Sequence, residues 1–414
     1  MKIIRLLVGL LALAAIGSAD ICAQNATITP YSRYGYGILS DNASAAQQGM
    51  GGVGYAMNSG RQINAMNPAS YARIDSLTFL FDMGVSMTNL WTTEDNAAGH
   101  SFEKHTGGGL SYITLQFPVS KRLGISAGLL PFSSVGYAFG NNITNGAASR
   151  QGSGSINQLY LGAGYRIFPE LSVGVNIAYM FGSTINDTYA YGNSGSTSLY
   201  EREIAVRDYR FNFGVQYTLF QDRTNSFTLG LSYSPAKKLL GHTNIYTMDV
   251  NNESNATTAE HAPTDNFYSL PHSFGAGIAW SWRSRLLVEL DATYQTWSKC
   301  KYDGEEGALN DRKKLALGMQ YQPALRGSYF RRIQYRLGGS YEDSYLKIGS
   351  NSLREWGLNC GFGMPVPGFK TVVNFSFGWL HRQAHPSALI KEDYFNITLG
   401  VNFNEMWFRK AKIY

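Results

Sequence analysis

Glu289 and Asp291 flank a single leucine, and their spacing is the most direct hint of chemistry in this chain. In extended backbone, residues two apart share a face, so both carboxylates point into the lumen if Leu290 faces lipid. Two carboxyl groups side by side can act as acid and base on a glycosidic bond. Set in a polar interior they act instead as wall residues meeting Arg336 or Lys314, and this is the expectation here. The histidines give no stronger signal. Six of the seven (His100, His105, His242, His261, His272, His381 and His385) fall in loops or at strand ends, and no Ser-His-acid order stands in a motif. His381 and His385 could approach one another across an outer loop, but no carboxylate or thiolate pattern accompanies them as a metal site would require. No enzyme activity, metal or cofactor is expected. Cys300 and Cys360 are assigned to strands separated by two others, which argues for two buried small side chains rather than a bridge.

The elements that must position these residues are strands. Fourteen stretches of alternating apolar and polar or glycine residues follow one another from residue 76 to 403. In the last, Phe395, Ile397, Leu399, Val401 and Phe403 share one face while Asn396, Thr398, Gly400 and Asn402 share the other. A period of two lets one short segment present a lipid face and a lumen face. A soluble β-sandwich also alternates, but here the outward faces stay apolar through every strand, and a closed barrel is the sheet a membrane tolerates. The expected fold is all-β, a 14-stranded antiparallel transmembrane β-barrel with an N-terminal plug. Strand cores are placed at, among others, residues 76–88, 206–220, 268–282 and 286–299, with long polar loops at 90–106, 141–155, 183–205 and 235–267. Between them lie short turns, which face the periplasm in bacterial barrels, so both mature termini are expected there.

Composition agrees. Only 15% of the residues are charged and 14% are aromatic, with 45 glycines and 27 tyrosines. The mean hydropathy of -0.19 conceals the lipid faces because alternation averages them away. The net charge is +6, with basic residues gathered in the short turns, as in Lys121-Arg122, Arg283 with Arg285, and Arg331-Arg332. Charge so modest and so placed makes no stripe for nucleic acid.

Lys2 and Arg5, an apolar run over residues 6–16 and small residues up to 24 read as a secretory signal peptide, residues 1–23, cut after Ala23 or, less favoured, after Ala19. Asp20 and Ile21 before Cys22 do not make a lipobox. Residues 24–72 do not alternate, carry few charges and are rich in small side chains, as expected of a plug folded into the lumen. The barrel occupies residues 73–404, and residues 405–414, with Trp407, Phe408, Arg409, Lys410 and Lys412, form a tail expected at the periplasmic interface.

Within the plug, Ser44-Ala45-Ala46-Gln47-Gln48-Gly49-Met50-Gly51-Gly52-Val53-Gly54, followed by Asn67-Pro68-Ala69-Ser70, resembles the N-terminal hatch of the FadL/TodX outer-membrane transport family. Leu270-Pro271, Gly275, Gly277, Asp291, Tyr294, Trp297 and Ser298 resemble a second pattern of that family. The resemblance implies that Gly51, Gly52, Asn67, Pro68 and Ala69 belong to an occluding hatch; a turn entering the first strand is the alternative for Asn67-Pro68. Pro131 sits within the third strand and cannot donate to the ladder, which calls for a bulge, kink or gap. In the resembling family a kink in this strand opens a lateral window, which assigns Gly128, Pro131 and Phe132 to an exit path; placement of Pro131 at the rim would open nothing.

The function so implied is passive uptake of small hydrophobic compounds, fatty acid-like or aromatic, through a plugged lumen with lateral exit, by a monomeric barrel whose partners are outer-membrane lipids and the ligand. The alternative is a non-transporting barrel of this type acting as a subunit of a larger outer-membrane complex for protein secretion or barrel assembly, with other outer-membrane proteins as partners. A small-solute porin ranks third. A continuous apolar pocket would favour uptake, and a lumen filled by polar packing would favour the subunit. Mass spectrometry of the mature N-terminus tests the leader assignment: Gln24 is expected, and a start at Asp20 moves the boundary.

Overall fold

The structure is a computed structural model that describes residues 29–406 apart from 97, 98, 144, 145, 194, 196, 250–257 and 388. The signal peptide and nearly all of the C-terminal tail lie outside the described residues. Fourteen strands form the wall: β1 (Thr78–Asn96), β2 (Gly99–Pro118), β3 (Leu123–Ile143), β4 (Gly146–Arg166), β5 (Leu171–Gly192), β6 (Thr197–Gln221), β7 (Asn225–Ser234), β8 (Ser273–Trp282), β9 (Leu286–Gln295), β10 (Arg312–Tyr321), β11 (Gln334–Ile348), β12 (Asn351–Pro365), β13 (Val372–His385) and β14 (Lys391–Met406). Each pairs antiparallel with its neighbours, and β1 pairs with β14 in a register that sets Phe81 opposite Phe403, so the sheet closes. No described helix is long and apolar enough to cross a membrane.

The outward face is a lipid face by its exposure. Leu159, Leu161, Leu315, Leu317, Trp356 and Leu358 are each more than half exposed. In water a continuous apolar band of this kind would drive aggregation, and in hydrocarbon it costs nothing. Inward positions mix polar residues such as Asp82, Thr114 and Asn176 with buried apolar ones such as Leu80, Met180 and Ile204. On β11, Gly338 passes so close to the N-terminal leader that a Cβ would collide with the backbone of Met50 and Gly51.

Several boundaries differ from the sequence reading. The segments expected as loops at 90–106, 141–155 and 183–205 continue as ladders, and β6 runs from Thr197 for 25 residues. At about 3.3 Å per residue such a strand outreaches the roughly 30 Å hydrocarbon layer even when tilted. Beyond the bilayer the outward face no longer needs apolar residues, so the alternation fades while the hydrogen bonds persist. The long 235–267 connection is in part a hairpin, Gly241–Asp249 with Thr258–Pro263, whose first arm pairs with the upper part of β6. The eighth strand begins at Ser273 rather than at 268, and the ninth ends at Gln295, followed by a short helical turn at Trp297–Lys299.

One seam of the wall is incomplete. Among the described residues the β2–β3 ladder runs only from Ile113 opposite Leu129 to Pro118 opposite Gly124. Above it, β3 bonds to the leader, with Ile38 opposite Ser134 and Leu39 opposite Ser133.

Gly338→Val is expected to displace the leader without dissolving the barrel. Trypsin cleavage after Arg33 or Arg61 should rise several-fold while the unboiled protein keeps the gel mobility of a folded barrel; unchanged cleavage would contradict the packing described.

Candidate functional site

The site to be understood is the lumen and what fills it. Residues 29–75 thread through the barrel and bury Tyr31, Tyr36, Met50, Ile63 and Tyr71, with Tyr34, Ile38, Leu39, Tyr55 and Met66 partly buried. Their backbone, mostly irregular, must find partners on the wall.

Local sequence builds the turns. Ser44 caps the short helical turn Ala45–Gln48 reciprocally with Gln47. The chain then reverses through Gly51 and Gly52, at φ of 76° and 81°, the left-handed region that glycine enters without steric cost. A Cβ at Gly51 would also lie 2.9 Å from the Gly339 amide nitrogen. Asn67 caps the turn Pro68–Arg73 by accepting the Ala69 N–H at 3.1 Å, and its Nδ2 donates to the carbonyls of Tyr55 (2.7 Å), Val215 (3.2 Å) and Leu231 (3.3 Å). Asn67 thus joins two leader segments to β6 and β7, which is more than a turn into the first strand requires. Pro68 and Ala69 are fully buried with it.

The wall grips the leader from several sides. Asp291 Oδ2 accepts the N–H groups of Gly54 (2.6 Å) and Tyr55 (3.0 Å), and Glu289 Oε1 accepts that of Ala56 (2.8 Å). These carboxylates share the lumen face as their spacing required, but they meet the leader's backbone rather than Arg336 or Lys314. Arg336 bonds to Gln320 and Asn374, each at 2.8 Å, while Lys314 pairs with Asp41 of the leader. Arg312 also reaches Asp41 (2.9 Å) and holds Glu342 (2.6 Å). Burial alone would raise the Asp41 carboxyl, but Lys314 and Arg312 outweigh it and hold it well below the usual carboxylate range. Gln216 Nε2 donates to the carbonyls of Tyr55 and Met57, both at 3.1 Å, and Thr398 Oγ1 donates to Gln48 Oε1 at 2.7 Å.

Towards the long-loop end the lumen is closed by an apolar core. Tyr36 packs on Trp297 (ring centroids 5.5 Å apart), Tyr302 (5.4 Å) and Tyr268 (6.3 Å), and Trp297 on Tyr345 (4.7 Å). Trp297 stood in the second family pattern, but Tyr36 and its packing on Trp297 and Tyr302 went unnoticed in the sequence because aromatic residues are scattered throughout this chain. Their assembly depends on loops folding inward. Phe132 joins this core, and the Arg210 guanidinium stands 5.5 Å from its ring centroid. Pro131 opens a register shift in the β3–β4 ladder, while Gly128 remains in the regular part, opposite Thr114 and Tyr160. Above the bulge, Thr29 N–H donates to Gly136 O (2.7 Å) and Ser40 N–H to Phe132 O (2.9 Å), so the leader occupies the β3 edge that β2 leaves.

What remains open inside is small or polar. One cavity of about 230 Å³ sets the charged Asp41, Arg312, Lys314, Glu342, Glu355 and Arg382 beside the apolar Leu90, Leu346 and Leu380, and one of about 100 Å³ sets Gln158, Asn176, Arg210 and Asn212 beside Leu130, Phe132 and Leu270. A third, about 910 Å³, lies at the short-turn end.

The other candidate chemistry disperses. His381 bonds to Asp393 at 2.9 Å; His385 lies four residues along the same strand, about 13 Å away at strand rise, so the two do not approach across a loop. No group of three metal-ligating side chains occurs among the described residues. Both cysteines in the described region are free, but Cys300 lies just past a helical turn rather than on a strand, and Cys360 is exposed rather than buried, since it shares the parity of Trp356 and Leu358 on β12.

A family model described as BamG matches residues 3–414 of the chain. No curated protein matches it in sequence. Among solved structures, a Pseudomonas aeruginosa FadL homologue is similar in fold, with TM-score 0.63 and 13% identity, covering 88% of this chain and 99% of its own. The Pseudomonas putida toluene transporter TodX matches at TM-score 0.61 and 13% identity (89% and 99% covered), and the Ralstonia pickettii toluene transporter TbuX at 0.59 and 13% (88% and 98%). At such identity the likeness is one of fold alone, that of the closed antiparallel β-barrel described above.

Asp291→Ala leaves the N–H groups of Gly54 and Tyr55 without their acceptor, at about 1–3 kcal/mol for each group. Amide exchange over residues 54–56 should accelerate about tenfold or more, and less in Asp291→Asn, which keeps an acceptor oxygen. Unchanged exchange in Asp291→Ala would show that the carboxylate does not hold the leader.

Proposed function

The chain belongs to the BamG family, and from that premise we propose that it is a closed, non-transporting FadL-type barrel serving as a subunit of a larger outer-membrane complex for protein secretion or barrel assembly. The observation that carries this reading is the filling of the lumen. Sites that take small hydrophobic molecules are mostly apolar and about 300–1,000 Å³ in volume. Here the two inner cavities hold about 230 and 100 Å³ and carry charges or amides, and the outer half is occupied by the protein's own aromatic core. The leader acts over its described residues 29–72 as a fixed plug centred on Gly51, Gly52, Asn67, Pro68 and Ala69; residues 24–28 of the expected plug lie outside the described residues. Its irregular backbone is tied down by buried carboxylates and amides, so displacing it would strand many polar groups at once. With the short turns facing the periplasm, the outer ends of β4, β5 and β6 and the paired arms Gly241–Asp249 and Thr258–Pro263 offer surface to neighbouring proteins.

A second reading has its own support. Solved structures titled as toluene transporters and a monoaromatic hydrocarbon channel share the fold, and the β2–β3 ladder is interrupted above Ile113 and Leu129. In that reading a small hydrophobic compound leaves laterally past Gly128, Pro131 and Phe132 once the leader shifts.

Purification from native membranes in mild detergent, followed by protein and lipid mass spectrometry of one sample, separates the two. The subunit reading expects a stoichiometric protein partner and no stoichiometric hydrophobic compound. A lone monomer carrying one bound hydrophobic molecule would sink it and establish uptake or binding instead.

A further inference from the structure

The cavity at the short-turn end differs from the rest of the lumen in being larger and strongly cationic. It holds about 910 Å³, roofed by the leader around residues 56–62 and walled by the inner faces of the strand ends. Six cationic side chains line it (Arg61, Arg73, Arg285, Arg326, Arg332 and Lys370) against one carboxylate, Asp75. That carboxylate neutralises little. It lies 3.4 Å from Arg61, and both side chains are more than half exposed. Nε of Arg73 and Nε of Arg332 are buried without a hydrogen-bond partner among the described residues, while Arg73 Nη2 donates to Thr218 Oγ1 at 3.3 Å.

Cations gathered in a low-dielectric concavity focus their field on whatever enters. Arg285, Arg326, Arg332 and Lys370 stand in the turns that join the strands, so a lipid headgroup is the competing occupant that experiment must exclude. The volume is at the upper end of the range for organic ligands, far more than a single small anion needs. Side-chain amides, among them Gln221, Gln322 and Asn404, supply the paired donors and acceptors that extended peptide backbone requires, and Leu325 and Phe369 supply apolar contact. The chain's own residues 407–414 do not match by charge: they carry Arg409, Lys410 and Lys412 and no acidic side chain.

We propose that this vestibule is the docking site for an acidic, carboxylate-rich extended segment of a partner protein on the periplasmic side. Its carboxylates sit on the arginine forks, where bidentate pairing adds geometry to charge, and its backbone sits on the amides. The proposal rests on the subunit reading and on the short turns facing the periplasm, and it names what that reading leaves open, the site and the chemistry of the contact.

The test uses the full-length barrel in nanodiscs of zwitterionic lipid and a fluorescent octapeptide of alternating Glu and Gly, with the Gln and Gly octapeptide as its neutral match. The acidic peptide is expected to bind at least tenfold more tightly than the neutral one. The triple variant Arg285→Gln, Arg326→Gln, Arg332→Gln should lose at least tenfold in affinity while keeping the gel mobility of a folded barrel. Arg223→Gln with Arg283→Gln removes rim charges outside the cavity and should change affinity less than threefold. Equal binding of the two peptides, or an equal loss in the rim variant, overturns the proposal. So does displacement of the peptide when phosphatidylglycerol is added to the nanodiscs, which assigns the site to lipid. Whether a partner is recovered with the unsubstituted protein decides the subunit reading separately, and the peptide result decides the vestibule in either case.

Discussion

A peptide N–H or C=O in hydrocarbon has no water to turn to, and everything else in this structure follows from that constraint. Closure of β1 on β14 satisfies it around most of the wall. It is left unmet at one place, where β2 and β3 part above Ile113 and Leu129. There the free edge of β3 is paired from inside the barrel by Ile38, Leu39 and Ser40 of the leader. The leader therefore pairs one edge of the gap, that of β3, as well as occupying the lumen.

The same constraint applies, less severely, within the lumen. An irregular segment enclosed by a barrel carries backbone groups that its own turns leave unpaired, and inward side chains must answer them. Asp291 and Glu289 serve residues 54–56, Gln216 serves Tyr55 and Met57, and Asn67 ties Tyr55 to β6 and β7. Side chains that would be catalytic suspects in another setting are acceptors for a neighbouring backbone here. A leader held in this way behaves as a structural element, which is why the filled lumen weighs more than the fold likeness in assigning a role. The two ends of the molecule then differ in kind: an aromatic core with long hairpins at one, a large cationic vestibule at the other.

Much of this was legible from residue order. A period of two is a local property, so the lipid face of Phe395, Ile397 and Leu399 and the lumen face of Glu289 and Asp291 could be read without knowing any contact. Asn67-Pro68 announced a capped turn for the same local reason, and Pro131 announced a break in the ladder. Cys360 was misjudged although its parity with Trp356 and Leu358 pointed to lipid. The hairpins above the bilayer were taken for loops because their outward faces lose the apolar signal while their hydrogen bonds continue.

The sequence by itself determined the barrel, its strand count and the direction of inward side chains such as Glu289 and Asp291, because alternation and turn chemistry act between residues close in the chain. Only the tertiary structure decided what those side chains meet. Asp291 and Gly54 are 237 residues apart, Lys314 and Asp41 are 273 apart, and the filling of the lumen comes from enclosure, which brings together residues that no local pattern relates.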